Sequence, residues 1–546
     1  MLSSCLVLSH IGQRPVPNIF TLAICQTDPR NCARAGRSIR YTVVPATRSQ
    51  YSTDLILPRK LSYPTLLLPL LSVCFGTLLP QRLWAAAAGH ERLDLTGDII
   101  GHLSLALFVL AYLLVMLEEF THLRKSKPVI LAAGIIWGLL AWRYSQGGMS
   151  HVAEAAFRHD LMEFAELFLF LLAAMTYVNA MEERRIFESL RAWLVQRRCS
   201  YHTLFWITGS LAFFLSPVID NLTTALVMCA VVLAAGRDND RFVGLACINI
   251  VVAANAGGAF SPFGDITTLM VWQKGLVEFQ TFFLLFVPSA VNFLVPAVAM
   301  HFAVPHGMPH TDGKQPYLYR GSLVIIGLFA LTIATAVSFH NFLGMPPVLG
   351  MMTGLAYLQL FGYYLKMTHK PLLPNNGRYG VVGDILPAGS PRRPFDVFSR
   401  LARAEWDTLL FFYGVVLCVG GLGFAGYLAL ISESMYGGLD TTVANVLVGV
   451  LSAVVDNIPV MFAVLSMNPD MALGQWLLVT LTAGVGGSLL SIGSAAGVAL
   501  MGQARGKYTF FTHLRWTPVI ALGYAAGILA HLWINSASFT ISPGGH

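Results

Sequence analysis

From about residue 90 onward, long apolar runs alternate with short polar links. Ten of these runs approach or exceed the length of a membrane-crossing helix, which takes about 20 residues. They are residues 99–118, 128–143, 160–180, 241–272, 281–302, 321–340, 346–365, 407–430, 474–503 and 514–534. Two further apolar segments, 203–236 and 441–466, differ because each carries an Asp-Asn pair in its middle. The pattern predicts an all-α polytopic membrane protein.

The two Asp-Asn pairs occur in a repeated motif, Leu-Ser-x-x-x-Asp-Asn. The copies read Leu215-Ser-Pro-Val-Ile-Asp-Asn221 and Leu451-Ser-Ala-Val-Val-Asp-Asn457, so they carry Ser216, Asp220, Asn221, Ser452, Asp456 and Asn457. A charged side chain inside a membrane segment costs about 2.5–3.5 kcal/mol on insertion scales, and it points to function by default. The alternative is that each pair only caps the helix that follows it.

The distribution of Lys and Arg predicts which links lie in the cytoplasm. The links at 122–127 and 181–202 are basic, and Arg237 and Arg241 follow the first Asp-Asn segment. Both ends of segment 203–236 are therefore cytoplasmic, which predicts a re-entrant hairpin of two arms of about 15 residues, each too short to span. Irregular backbone at that depth is tolerated only inside protein or beside water, so the hairpin should line a buried site.

The second Asp-Asn segment has the opposite surroundings. The links 431–440 and 466–471 contain no Lys or Arg, so hairpin 441–466 enters and leaves from the outside. We therefore expect a first half at 90–365 and a second half at 407–540, joined by a basic cytoplasmic linker at 366–406. Inverted repeats of this kind are typical of secondary transporters, whose site lies near the midplane between the repeats.

Each hairpin is followed by a segment that glycines interrupt, 241–272 in the first half and 474–503 in the second. Gly257-Gly258 aligns with Gly486-Gly487, Gly264 with Gly493, and Asp265 with Ser494. Glycine and proline break a helix and expose carbonyl groups and half-helix N-termini, which bind ions in broken-helix transporters. Alternatively, the glycines only permit close helix packing, and Asp265 only caps the next helix.

The two halves differ in their polar residues. The first carries Asn255, Thr267 and Thr268 where the second has Gly484, Ala496 and Gly497. We therefore expect an asymmetric site in which the first half supplies more oxygen ligands.

Composition narrows the chemistry. The chain is 55% apolar and 12% charged, about half the charge of an average soluble protein. Its net charge of +7 reflects membrane topology and does not indicate nucleic-acid binding. The 8 cysteines show no CxxC spacing, so neither a disulfide framework nor a zinc site is indicated, and no cofactor is expected. Hydrolase motifs of the HExxH and GxSxG types are absent, which disfavours an enzyme.

The candidate site residues carry carboxylate, amide and hydroxyl oxygens, which suit a hard cation such as Na⁺, Li⁺ or H⁺. Neither motif contains a basic residue that could hold an anion. Carboxyl groups that share a buried cavity retain protons more readily than in water, so a metal cation can compete with the proton. That competition suffices for antiport, with Asp220, Asp265 and Asp456 as the Na⁺ ligands.

Two other regions carry predictions. Residues 1–58 are Arg-rich and form an N-terminal extension, and residues 59–89 resemble a signal peptide. This favours a bacterial inner membrane and a start site placed too far upstream; an organellar transit peptide or an uncleaved first helix are the alternatives. His159 stands at the predicted start of span 160–180 beside Asp160, Glu163 and Glu166. It is a candidate pH sensor, although a solvated helix end explains it more simply.

The stretch Ser216-Pro-Val-Ile-Asp-Asn221, together with Asn255-Ala-Gly-Gly-Ala-Phe-Ser-Pro-Phe-Gly-Asp265-Ile-Thr267-Thr268, closely resembles NhaD-type Na⁺/H⁺ antiporters of the ion transporter superfamily. The resemblance covers roughly residues 90–540. It implies exchange of cytoplasmic Na⁺ or Li⁺ for external H⁺ in sodium and pH homeostasis. It also implies an elevator-type fold in the lipid bilayer, assembled as a homodimer.

The polar residues of the family carry over to the following positions: His159, Ser216, Asp220, Asn221, Asn255, Asp265, Thr267, Thr268, Ser452, Asp456, Asn457, Ser491 and Ser494. The same superfamily leaves two rival functions open, an arsenite-type anion or metalloid exporter and a Na⁺-coupled carboxylate transporter.

Overall fold

The computed structural model describes residues 93–121, 123–196, 199–236, 239–308, 318–368, 402 and 404–543. These residues form helices and no strands. Nine of the described helices are long and apolar enough to cross a membrane, which confirms the all-α polytopic class. The predicted N-terminal segments 1–58 and 59–89, and most of the predicted linker 366–406, lie outside the described residues.

The described helices up to residue 301 are α1 Ile99–Met116, α2 Ser126–Gln146, α3 Ser150–Glu183, α4 Ile186–Gln196, α5 Tyr201–Leu215, α6 Asn221–Ala235, α7 Asp240–Gly258, α8 Ile266–Gln273 and α9 Phe286–His301. Short helical turns at Glu118–Thr121 and Thr281–Leu285 precede α2 and α9.

The described helices after residue 320 are α10 Ser322–Leu343, α11 Pro347–Met367, α12 Trp406–Phe424, α13 Tyr427–Ser432, α14 Thr441–Leu451, α15 Asn457–Met467, α16 Leu473–Gly486, α17 Ala495–Gln503, α18 Phe510–Leu514 and α19 Thr517–Ile534. A π-helical turn at Glu433–Gly437 follows α13, and a 3₁₀ turn at Ser536–Thr540 follows α19.

Both Asp-Asn segments form pairs of short helices that meet at the Asp-Asn sequence, α5 with α6 and α14 with α15. Both glycine-rich segments are broken where the glycines stand, between α7 and α8 and between α16 and α17. In the described residues, the interruptions predicted from Gly and Pro are therefore real breaks in the helices.

Two predicted spans differ from the structure. Helix α3 begins at Ser150 and not near residue 160, because helix-forming residues such as Ala153 extend it beyond the apolar run, with a Glu154–Arg158 ion pair of 2.8 Å on its surface. His159 therefore lies inside a helix and not at its start. The predicted span 407–430 is also interrupted, because Gly426 takes φ +103° and separates α12 from α13.

Two hydrophobic clusters organise the packing. The smaller joins α1, α2 and α12, where the Trp137 indole donates a hydrogen bond of 2.8 Å to the Leu417 carbonyl and stacks on Phe424. The larger surrounds α7, a mostly apolar helix that is almost entirely buried, including its Asn249 and Asn255. Helix α7 packs against α5, α6, α9, α16 and α17, so both hairpins and both broken helices are built around it or its neighbours.

Helices α10 and α11 approach each other at glycines. A Cβ on Gly350 would collide with the backbone of Ala336, and one on Gly354 would collide with the Thr332 side chain. The Tyr177 hydroxyl of α3 donates a hydrogen bond of 2.6 Å to the Gly354 carbonyl and accepts one of 2.9 Å from Thr332. Close approach of this helix pair therefore depends on residues without a side chain.

We expect Gly350→Val to destabilise the protein by about 1–3 kcal/mol, because the added side chain must push α10 and α11 apart. Gly327→Val is the matched control, since its Cβ would meet open space on the exposed side of α10. Both changes replace glycine by valine within a helix, so the effect of helix propensity cancels when the two variants are compared. Thermal unfolding in detergent, followed by tryptophan fluorescence, compares them. Equal midpoints for the two variants would contradict the packing described.

Candidate ion site

Four helices begin at one internal cavity of about 100 Å³. Helices α6, α8, α15 and α17 start at Asn221, Ile266, Asn457 and Ala495, and all four residues line it. Helix α6 packs against α17, and α15 packs against α8. Each hairpin arm therefore lies beside the half-helix of the other half, and the positive ends of four helix dipoles face the same space.

The carboxylate of Asp265 is the point where the two hairpins meet. Asp265 is only 5% exposed, and it caps α8 by accepting a hydrogen bond of 3.2 Å from the Thr267 amide. The Asn457 side-chain amide lies 3.0 and 3.3 Å from its two oxygens. The Asn221 amide approaches it at 3.5 Å and donates a bond of 3.2 Å to Asn255 Oδ1. Asparagines from both hairpin tips thus converge on one carboxylate.

Asp220 holds a strained backbone conformation at the first hairpin tip. Its φ of +55° with ψ of 155° is unusual for a residue with a side chain and costs about 1–3 kcal/mol. Its carboxylate accepts bonds of 2.8 and 2.9 Å from the amide and hydroxyl of Thr223. Asp220 therefore does cap α6, as the alternative interpretation of the sequence proposed, and it lines the cavity as well.

Asp456 differs from Asp220 although the sequence motif is the same. It stands at the N-cap position of α15, but its side chain makes no capping hydrogen bond to that helix. Its backbone amide donates a bond of 3.0 Å to the Tyr112 hydroxyl. The carboxylate Oδ2 lies 3.9 Å from Lys125 Nζ, and within the described part of the chain Oδ1 has no hydrogen-bonding partner. Asp456 therefore presents a carboxylate oxygen with unused capacity.

The two serines of the repeated motif bind main-chain groups. The Ser216 hydroxyl donates a bond of 2.6 Å to the Ala254 carbonyl, and the Ser452 hydroxyl donates one of 2.8 Å to Ala483. Neither is among the residues that line the cavity. Both tie a hairpin to the broken helix that follows it, so they position the site and do not face its interior.

The glycine-rich breaks of the two halves have matching local geometry. Asp265 and Ser494 cap α8 and α17 with nearly the same backbone angles, φ −140° with ψ 146° and 147°. A Cβ on Gly258 would lie 2.9 Å from the Gly264 carbonyl oxygen, and one on Gly487 would lie 2.6 Å from that of Gly493. The glycines therefore permit close approach of the backbone within each break, in addition to interrupting the helix.

Several buried polar atoms of the two broken helical segments are available to a ligand. Among the described residues, Asn255 Nδ2, Thr267 Oγ1 and Ser491 Oγ have no hydrogen-bonding partner. A Cβ at Gly484 would lie 3.5 Å from Asp265 Oδ2 and 3.7 Å from Thr267 Oγ1, which places these two oxygens on one side of α16. Buried polar atoms are normally paired, so the hydroxyl oxygens of Thr267 and Ser491 are candidate ligands for a small cation, whereas Asn255 Nδ2 can only donate a hydrogen bond.

Thr268 and Ser494, by contrast, serve the backbone. The Thr268 hydroxyl donates to the carbonyls of Ser261 and Asp265 at 2.8 and 2.7 Å. The Ser494 hydroxyl accepts a bond of 3.2 Å from the Gly497 amide.

Known proteins resemble this chain over most of its length. A family model described as "Citrate transporter" (CitMHS) matches residues 98–484. The Na⁺/H⁺ antiporter NhaD of Alkalimonas amylolytica is 60% identical over 459 residues, which cover 83% of this chain and 95% of the relative. The NhaD protein of Halomonas elongata is 58% identical over 460 residues, covering 84% of this chain and 93% of the relative.

The chain belongs to the NhaD family. A more distant relative, sodium/proton antiporter 1 of Arabidopsis thaliana, is 32% identical over 475 residues, covering 84% of this chain and 76% of the relative. The region matched by the citrate-transporter family model includes both Asp-Asn pairs and Asp265, whereas Ser491 and Ser494 lie beyond it.

In this NhaD-family chain, His159 lies apart from the carboxylates of the candidate site. Its side chain is 67% exposed and lies 3.5 Å from oxygens of Asp160 and Glu163. It lines a second cavity of about 260 Å³ together with Glu166 and Lys274, and Lys274 forms an ion pair with Glu163. Its predicted role as a pH sensor stays a prediction.

Three residues at the candidate site of this NhaD-family chain were not predicted from the sequence. Lys125 and Glu405 line the cavity with the aspartates, and the Tyr112 hydroxyl contacts the backbone of Asp456. From the sequence, Lys125 was assigned only to the basic cytoplasmic link at 122–127. Glu405 stands directly before the apolar run of α12, and an acidic residue at that position within a basic linker was the available signal.

We expect Asn457→Leu to lower the thermal stability, because a buried carboxylate that loses charge-assisted hydrogen bonds costs about 1–3 kcal/mol or more. The loss should be larger in alkaline than in acidic buffer, since a protonated Asp265 needs the amide less. Ser466→Ala is the control, as it removes a hydroxyl bonded to Phe462 farther along the same helix. Unfolding midpoints in detergent at both pH values provide the measurement; a pH-independent difference would count against the contact.

Proposed function

We propose that this chain is a secondary transporter that exchanges Na⁺, or Li⁺, for H⁺. The observation that carries the proposal is the lining of the central cavity. Four carboxyl groups, those of Asp220, Asp265, Glu405 and Asp456, border a space of about 100 Å³. Carboxylate and neutral oxygen ligands are what a hard cation prefers.

The charges around the cavity favour a single monovalent cation. Each helix N-terminus is equivalent to about half a positive charge, so the four helices contribute about two positive charges. Lys125 adds one more, and the four carboxylates oppose them. When all four are ionised, about one negative charge is left over, which one Na⁺ or one proton neutralises. A divalent cation or an anion would leave the cavity unbalanced.

The size of the cavity favours an ion over an organic substrate. Sites for organic ligands usually measure about 300–1,000 Å³, whereas this cavity holds about 100 Å³. One water molecule needs about 10–15 Å³ of such space. The cavity therefore has room for a small cation together with several waters.

Exchange follows from competition at the buried carboxylates. Withdrawal from water and the nearness of like charges both favour the protonated form of such groups. Na⁺ and H⁺ would then exclude each other at Asp220, Asp265 and Asp456, with Asn255, Thr267 and Ser491 supplying neutral groups. Asn221 and Asn457 hold Asp265 in place, Thr268 and Ser494 hold the broken backbone, and Ser216 and Ser452 hold the hairpins.

The direction of transport is proposed from the position of the two cavities. The central cavity reaches Lys125, Asn179 and Thr408, at the ends of α2, α3 and α12 that the charge distribution assigns to the cytoplasm. Glu166 of the second cavity lies about three to four helical turns from Asn179 along α3, toward the other side. This arrangement supports an inward-facing state that takes up cytoplasmic Na⁺, with external H⁺ as the counter-ion.

An elevator movement of two inverted repeats is the mechanism we propose for alternating access. The matching contacts of Ser216 and Ser452, and of the capping residues Asp265 and Ser494, support related halves. The bacterial sources of the relatives that are about 60% identical support a bacterial inner membrane. Assembly as a homodimer stays a prediction.

Carboxylate transport is the second candidate function. It is favoured by the description of the matching family model and by the single lysine among the cavity residues, which could bind an anionic group. Four carboxyl groups around the same space oppose it.

We expect inverted membrane vesicles containing this protein to lose an inside-acid pH gradient when Na⁺ or Li⁺ is added. Asp220→Asn and Asp456→Asn should each abolish the response, because they remove charge from the cavity. Asparagine is as good a helix cap as aspartate, so the capping role of Asp220 is retained. Acridine-orange fluorescence measures the gradient, and immunoblots measure the amount of protein.

Asp440→Asn is the matched control for this experiment. Asp440 caps α14 from an exposed position, with a bond of 2.9 Å from the Thr442 amide, and does not line the cavity. It should leave the response unchanged. A gradient that ignores Na⁺ and Li⁺ from mildly acidic to alkaline pH, while citrate or arsenite moves, would reject the proposal.

A further inference from the structure

Lys125 brings a positive charge to the edge of the cation site. Its ammonium nitrogen lies 3.9 Å from Asp456 Oδ2 and 4.6 Å from the centre of the Phe411 ring. The side chains of Lys125 and Asp456 are 18% and 15% exposed, so most of the pair is withdrawn from solvent. Among the residues that line the cavity, Lys125 is the basic one.

The contact with Asp456 is electrostatic and is not a hydrogen bond. A nitrogen–oxygen distance of 3.9 Å exceeds the 2.7–3.2 Å or so of such bonds. Within the described residues, the other oxygen of Asp456 accepts no bond. A buried ion pair stabilises fully only when further hydrogen bonds satisfy both partners. This pair is therefore one that a small cation, able to contact the carboxylate directly, can replace.

The Phe411 ring offers the ammonium group of Lys125 a second binding position once Na⁺ has displaced it from Asp456. An ammonium group above an aromatic face is stabilised by the ring electrons, more strongly when partly desolvated. Lys125 can therefore leave Asp456 without returning fully to water. The other charged groups around the pair are Asp220, Asp265 and Glu405 in the cavity and Asp407, which accepts a hydrogen bond from Ser126.

We propose that Lys125 is a tethered competitor of Na⁺ at Asp456 and so sets the Na⁺ affinity of the transporter. The inference rests on the proposed Na⁺/H⁺ exchange and adds an affinity-determining residue to it. When the site holds no Na⁺, the ammonium of Lys125 neutralises part of the Asp456 charge. Na⁺ must displace that charge to bind, and the returning lysine helps to release Na⁺.

The position of the pair in the fold gives the competition a structural consequence. Lys125 stands directly before α2, and Asp456 stands directly before α15. The ion pair therefore links the N-terminal ends of these two helices while Na⁺ is absent, and bound Na⁺ removes that link.

The test compares the Na⁺ concentration that half-saturates wild-type protein and variants. Lys125→Met keeps the length and apolar stem of the side chain and removes its charge. We expect it to lower the half-saturating concentration about threefold to fivefold, the range expected for a partly exposed ion pair. Lys125→Arg keeps the positive charge and should stay close to wild type. Equilibrium binding of radioactive Na⁺ to purified protein and the vesicle assay provide two independent readouts.

Lys127→Met is the control for a general loss of positive charge, because Lys127 is exposed and outside the cavity. It should leave half-saturation unchanged. If Lys125→Met does not give folded protein, Lys125→Gln serves in its place. A purely structural role would lower the amount of active protein without tightening Na⁺ binding.

The outcomes separate the two proposals. If half-saturation is unchanged or higher in Lys125→Met, or if Lys125→Arg shifts as far as Lys125→Met, the competitor role is wrong while Na⁺ exchange stands. If wild-type protein neither binds Na⁺ nor responds to it, the proposed function is itself wrong.

Discussion

A buried carboxylate in a membrane protein needs hydrogen-bond donors from the protein itself. In this chain the carboxylate that needs them is that of Asp265. Water is scarce at this depth, so an unpaired charge would cost several kcal/mol. The chain meets the requirement with the amide of Thr267 and the side-chain amides of Asn221 and Asn457. For these amides to arrive together, two hairpin tips and one helix break must share a single location. The overall arrangement of helices around α7 serves that convergence.

The helix breaks and the carboxylates depend on each other. Four helix N-termini that face one cavity would repel a cation unless negative groups stood beside them. Asp220, Asp265 and Asp456 stand at three of these N-termini, and Ser494 stands at the fourth. A carboxylate at that fourth position would add a further like charge to a cavity of about 100 Å³. The asymmetry between the halves thus keeps the excess negative charge close to that of one monovalent cation.

Local patterns could be predicted from the sequence, and tertiary contacts could not. The spans, the helix pairs around Asp220 and Asp456, and the glycine breaks each follow from a short stretch of residues. Lys125, Glu405 and Tyr112 come from other segments, so their presence at the site depends on how α1, α2 and α12 pack. Ser216 and Ser452 were predicted as ion-site residues, but their hydroxyls bond to the backbone carbonyls of Ala254 and Ala483, partners that a sequence does not reveal. The start of α3 was missed because helix propensity continues past the point where hydrophobicity ends.

Capping a helix and binding an ion are not exclusive roles for an aspartate, and the two Asp-Asn pairs show why. Both oxygens of Asp220 already accept hydrogen bonds from Thr223, so part of its charge is neutralised before any cargo arrives. Asp456 makes no cap, and its nearest positive charge is an ammonium group 3.9 Å away. The identical motif therefore yields one carboxylate fixed by its own helix and one held by a charge that can move. In an exchanger, a carboxylate held by a movable charge, such as Asp456, suits a ligand that must be bound and released. A carboxylate fixed by its own helix, such as Asp220, maintains the shape of the cavity between binding and release.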